Sequence, residues 1–285
     1  MPGAAPTRRA GPTVLALAAA CHPGPAVAVT IFGTVLGASA GNSAATVAIL
    51  AVALGAGQLS IGWSNDRIDA ARDRSVGRAD KPVARGEVSS SVLDRCIGAA
   101  VAVCVGASLA LGWRAGLVHL GAVAAGWVYN VGAKATAWSA LPYAVAFGAL
   151  PAVATLARSD GAAPAWWAVL AGALLGITAH VTNVLPDLQA DAATGVRGLP
   201  HRLGARMSLL VATLALLAGS AALVLGPPGS PSALRAVGLA VVGAWAVVGC
   251  AAGWRRPQAR WLFPGTVAVV ALDIVLLLLG PSMVA

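Results

Sequence analysis

Apolar runs of about 20 residues recur along the whole of this chain, and each is long enough to cross a bilayer core of roughly 30 Å as a helix. Within lipid every backbone polar group must be satisfied internally, which leaves only helices and closed barrels as spanning structures. A barrel strand alternates apolar and polar residues over segments of about ten, and no such alternation is present here. The runs fall at 14–36, 43–62, 92–112, 115–131, 137–156, 164–185, 207–225, 233–253 and 261–279. They predict an all-α integral membrane protein, one domain over residues 1–285, with about nine transmembrane helices. At 58% hydrophobic and 10% charged, the chain lies outside the range of a water-soluble domain. Alanine and glycine fill the runs, as expected where membrane helices pack closely. Cys21, Cys96, Cys104 and Cys250 lie in or beside these runs without metal-type spacing, and read as small packing residues.

Charge sets the expected orientation. The chain holds 19 lysines and arginines. With the N-terminus inside, sixteen of them (Arg8 and Arg9 among them) fall in inner loops, and only Arg114, Arg158 and Arg235 fall outside. Such a bias predicts a multi-pass protein of the inner cell membrane with a cytoplasmic N-terminus. Arg8 and Arg9 precede an apolar stretch that runs on, so no cleavable leader is expected. The net charge of +9 needs no nucleic acid to explain it, since topology, anionic membrane lipid and an anionic substrate account for it.

The acidic residues are few and clustered. Of ten in all, six lie between Asp66 and Asp94 and two more are Asp187 and Asp191. Asp66, Asp69 and Asp73 stand at i, i+3 and i+7, on one face of a helix, with Asn65 adjacent. Asn183, Asp187 and Asp191 stand at i, i+4 and i+8, and Pro186 is expected to break that helix. Each cluster ends an apolar run on the inner side and leads into a basic loop holding Gly and Pro, at 77–86 and 195–204. That recurrence suggests two similar halves, helices 1–4 with the motif at 65–73 and helices 5–9 with the motif at 187–191. Carboxylates gathered this way repel unless cations lie between them. Mg²⁺ takes one or two carboxylates per ion and completes its octahedron with water and substrate phosphate oxygens. A diphosphate held between two such clusters satisfies every group, with Arg72, Arg78, Lys81, Arg85, Lys134, Arg197 and Arg202 available for the remaining phosphate charge.

These residues resemble the UbiA superfamily of intramembrane prenyltransferases. The first family motif, N-D-x-x-D-x-x-x-D, stands complete at 65–73 and runs into the basic loop 78–86. The second stands at 187–191, followed by a Gly and a basic-x-Leu-Pro segment through Pro200. Tyr129 to Lys134 resembles the family's Tyr…Lys stretch. The resemblance implies helices around a central cavity capped by two cytoplasmic motif loops. It implies two Mg²⁺ ions held by Asn65, Asp66, Asp69, Asp73, Asp187 and Asp191, with the five aspartates as the catalytic set. It also implies a diphosphate touching Arg72, Lys81, Lys134 and Arg197, an isoprenyl diphosphate donor, and an aromatic or other lipophilic acceptor. Cys21-His22-Pro23 stands where many members carry Arg-Pro.

Several residues keep two readings. His22 orients the acceptor or caps a kinked helix. His180, on the face of Asn183 and Asp187, accepts a proton or is a hydrogen-bonded interior histidine. Asp273, alone in the last run, has a partner on a neighbouring helix or a substrate role. Trp127, Tyr129, Trp138, Tyr143 and Phe147 shield a carbocation or anchor the interface. A terpene cyclase needs the same ionisation machinery and stands as the alternative function. A transporter is remote, since its charges would lie nearer the bilayer midplane.

Overall fold

The computed structural model describes residues 14–75 and 81–284. Arg8 and Arg9, and Gly77, Arg78 and Asp80 of the first motif loop, lie outside the described residues. Apart from one isolated bridge between Pro164 and Val284, the described chain is helix and connecting turn. The helices are α1 Val14–Ala20, α2 Pro23–Ser39, α3 Ala44–Ser75, α4 Ser90–Ala110, α5 Trp113–Val131, α6 Leu141–Leu156, α7 Trp166–Val184, α8 Leu188–Ala193, α9 Leu199–Leu203, α10 Ala205–Leu225, α11 Ala233–Arg255 and α12 Leu262–Leu278.

Every apolar run overlaps one of the longer helices. By length and composition five of them can cross a membrane (α3, α4, α7 as it continues through α8, α10 and α11), or six if α1 and α2 count as one broken span. Helices α6 and α12 are apolar but shorter. The first run, expected as one helix over 14–36, is two helices bent by 73°. The break falls at Cys21-His22-Pro23, because a residue before proline is pushed away from the helical region. His22 there has φ 56° and ψ 66°, a left-handed conformation uncommon for any residue with a Cβ. The second run, by contrast, continues unbroken for 32 residues and carries the first acidic motif on its last turns.

Helix α7 is the centre of the bundle. Of its most apolar window 61% is buried against protein, against 22% for α4 and α11, which turn most of their surface outward to lipid. Small residues permit the tight packing of α6 on α7. A Cβ at Gly172 would lie 2.5 Å from the Phe147 carbonyl oxygen, and one at Gly176 would lie 2.5 Å from that of Tyr143. Two glycines four apart thus let backbone meet backbone, the usual device where lipid supplies no hydrophobic drive between helices. At the end of the bundle away from the acidic motifs, Asn42 Nδ2 donates to the Ala154 carbonyl at 2.8 Å, Arg158 donates to the Ala40 carbonyl, and Arg114 donates to the Gly161 carbonyl at 3.1 Å.

Candidate active site

An apolar cavity of about 210 Å³ opens between α2, α3, α5, α6, α7 and α12. Its wall is mostly hydrocarbon and aromatic, with Phe32, Tyr129, Tyr143, Phe147 and Phe263 among the lining residues. Tyr143 is the hub of a ring cluster, 5.2 Å from Tyr129, 5.0 Å from His180 and 6.1 Å from Phe147 between ring centres. The polar groups lining the cavity include His22, Asn65 and Asn130, at the end where the first acidic motif lies. Gly62 makes this end possible: a Cβ there would collide with the Cys21 carbonyl, so α3 can press on the α1–α2 break only as glycine.

The three aspartates of the first motif share one buried face of α3, as their spacing predicts, at 1%, 7% and 3% exposure for Asp66, Asp69 and Asp73. Burying a carboxylate is costly unless it is paired and hydrogen-bonded, and cations meet them. Lys81 Nζ donates to Asp66 Oδ1 at 2.6 Å, and His22 Nε2 lies 3.1 Å from the same oxygen and 2.8 Å from Lys81 Nζ. Lys134 Nζ donates to both oxygens of Asp69, at 2.6 and 2.7 Å, and Arg72 donates to Asp69 Oδ2 at 2.9 Å. Arg72 Nε also lies 3.8 Å from Asp73 Oδ1. Asn65 is tied down by a relay: it donates to Asn130 Oδ1 at 3.2 Å, while Asn130 donates to the Ile61 carbonyl at 2.8 Å.

The second motif is built differently. Pro186 ends α7, a 3-10 turn covers Leu185–Asp187, and α8 carries Asp191. The i, i+4, i+8 register of one continuous helix is therefore interrupted at the proline, which has no N–H to extend the ladder. Asp187 and Asp191 are half-buried, whereas Asn183 and Arg197 are exposed and do not line the cavity. The loop nevertheless packs onto Lys134, the lysine that pairs with Asp69. A Cβ at Gly198 would lie 2.6 Å from the Lys134 carbonyl oxygen, and the Leu199 N–H donates to Ser139 Oγ at 2.8 Å. His180 lies behind the aromatic wall and does not line the cavity. Its Nε2 lies 3.0 Å from Ser139 Oγ, and its buried Nδ1 has no partner.

Among the described residues no three carboxylates or imidazoles converge closely enough to hold one ion. Lysines and an arginine occupy the spaces between them instead. The donor set still fits a hard cation that needs only one or two carboxylates and takes phosphate and water for the rest. Among the described residues Asp66 Oδ2 is buried without a partner, an oxygen left over for such a ligand. His22 stands at the N-cap of α2 but makes no capping bond with its side chain; its ring is spent on Asp66 and Lys81. Gln58 and Asn130 are site residues that the spacing argument missed. Their signal was present as lone amides in apolar helices.

A family model, that of the UbiA prenyltransferase family, matches residues 26–263. The chain belongs to this family. Solved UbiA structures share its architecture. A UbiA homolog from Archaeoglobus fulgidus bound to GPP and Mg²⁺ superposes with a TM-score of 0.73 at 15% identity, covering 92% of this chain and 97% of that one. The apo structure of a UbiA homolog from Aeropyrum pernix K1 gives 0.73 at 17% identity, covering 90% and 97%. A digeranylgeranylglyceryl phosphate synthase gives 0.67 at 14%, covering 93% and 96%. No curated protein matches. At these identities the likeness to solved structures is one of fold, and as a UbiA member the chain is a multi-pass membrane protein.

Proposed function

We propose that this UbiA protein is a Mg²⁺-dependent prenyltransferase that ionises an isoprenyl diphosphate and passes the prenyl group to an aromatic or other lipophilic acceptor. One observation carries the reading: buried aspartates clamped by Lys81, Lys134 and Arg72 stand at the end of a cavity otherwise lined with hydrocarbon and aromatic rings. A molecule with a polyanionic head and an apolar tail matches both parts. The A. fulgidus homolog is seen with GPP and with DMAPP, each with Mg²⁺. Asn65, Asp66, Asp69, Asp73, Asp187 and Asp191 would hold two Mg²⁺ ions here. Mg²⁺, when bound, supplies positive charge that stabilises the leaving diphosphate.

The chain's own groups do the rest. Lys81, Lys134, Arg72 and Arg197 bind and orient the diphosphate head. The allylic C–O bond breaks and its electron pair leaves with the diphosphate. The faces of Tyr129, Tyr143 and Phe147 stabilise the cation, and the apolar wall excludes the water that would quench it. His22, on the cavity wall, helps hold Asp66 and Lys81 beside the acceptor, which bonds to the cationic carbon and gives its proton to the departing diphosphate. We further assign the motif loops to the cytoplasmic face of the inner membrane, on the strength of the charge bias.

The deciding experiment is release of pyrophosphate by purified protein in lipid, with geranyl, farnesyl and geranylgeranyl diphosphates. Release is expected only with Mg²⁺ and acceptor, and chelation should stop it. Asp66→Ala and Asp187→Ala should each abolish turnover while leaving helix content by circular dichroism unchanged. Turnover surviving both changes together overturns the reading. Because the aromatic wall also suits a cation closing on its own double bonds, a cyclised hydrocarbon formed without acceptor would make the protein a cyclase.

A further inference from the structure

Beyond Phe32 and Phe147 lies a second cavity of about 60 Å³, which shares Val29, Phe32, Phe147 and Val270 with the main one. Among its described lining residues Asp273 of α12 is the only polar side chain. Asp273 is completely buried. Ser220 Oγ on α10 donates to its Oδ2 at 2.8 Å, and its Oδ1 is buried with no partner in the protein. The pair fastens α10 to α12, but that contact uses only one oxygen. Asp273 also lines a cavity whose other described lining side chains are hydrocarbon.

A carboxyl oxygen left unpaired in a membrane interior is expensive, and such groups are usually functional. A water molecule is a poor occupant because it needs two to four polar partners, and this cavity offers one. An ammonium group would leave most of its donors facing hydrocarbon. An alcohol fits: one hydroxyl donates to Oδ1, and the attached chain fills the apolar remainder. We propose that the second cavity is a subsite for the hydroxyl-bearing end of a lipophilic molecule that enters through the main cavity, with Asp273 as its polar contact. The subsite goes beyond the prenyltransferase reading, which uses no polar group at this depth.

The test is binding, independent of turnover. Tritiated dodecanol is bound to the purified full chain in detergent and displaced by unlabelled dodecanol, dodecyl methyl ether or dodecane. A site that hydrogen-bonds a hydroxyl rejects the analogue lacking its proton, so dodecanol should compete better than the ether by about tenfold or more. Asp273→Leu should erase that preference. Asp273→Asn, nearly the same size, guards against a folding defect and should weaken it. Ser220→Ala should keep it, and so should Asp66→Asn, which alters only the diphosphate end. Equal competition by alcohol and ether in the unaltered protein overturns the subsite, as does a preference that persists in both Asp273 variants. Absence of pyrophosphate release would sink the enzymatic reading alone, leaving the alcohol preference to be judged separately.

Discussion

Asp66 is held by two groups that are distant in sequence, Lys81 and His22, and one of its oxygens remains unpaired among the described residues. Removing one partner of a buried ion pair strands the other charge, typically at about 3–5 kcal/mol. Lys81→Met should therefore lower the thermal midpoint in detergent as well as abolish turnover. Adding Asp66→Asn to it should restore most of the stability and none of the turnover, since the stranded charge is gone. If the double variant is no more stable than Lys81→Met, the pair is not what holds this corner. The sequence displays the aspartates plainly, because i, i+3 and i+7 on a helix is a local pattern. It marks Lys81 and Lys134 as nearby positive charges, but which carboxylate each would clamp depends on how the loops fold back. Asp273 is similar: its oddity is visible from its neighbours in sequence, but Ser220 and the adjoining cavity are not.

Helix α7 relies on glycine rather than on large side chains to meet α6. Gly172→Ala and Gly176→Ala each drive a methyl group against a carbonyl of α6, and overpacking of this kind costs about 1–3 kcal/mol. Gly121→Ala in α5 meets nothing within 4 Å and should be neutral or stabilising, since alanine is the better helix former. Thermal unfolding of the three variants checks the order; a Gly172→Ala protein as stable as Gly121→Ala would refute backbone packing at this pair. Helix identity was legible in the apolar runs, and so was the interruption at Pro186. The bend at His22 was half legible: Pro23 marks it, but the run of apolar residues on either side reads as one span. Its 73° angle depends on α3 reaching the Cys21 carbonyl through Gly62, a contact across 41 positions that no local pattern reports.

At the scale of the molecule, the two motif loops gather at one end of the bundle and the apolar cavity leads inward from them. Lys134 joins the two motif regions, its ammonium on Asp69 and its carbonyl against Gly198. Gly198→Val should therefore displace the second loop from the first motif and depress turnover, with little change in global stability, because the loop lies outside the apolar core; unchanged turnover would show that the loops work apart. Helix α1 has its own part in this end. Ala16 and Ala20 pack with Ala70, Val83, Val88 and Leu93, and Trp63 Nε1 donates to the Leu17 carbonyl at 2.9 Å. The short first helix thus acts as a clasp across the segment that begins with Lys81. The family match begins only at residue 26. A protein trimmed to that match would keep every motif and lose the clasp together with His22, so Lys81 would hang from an untethered strap. Whoever shortens or tags this chain at its front end is working on the candidate active site.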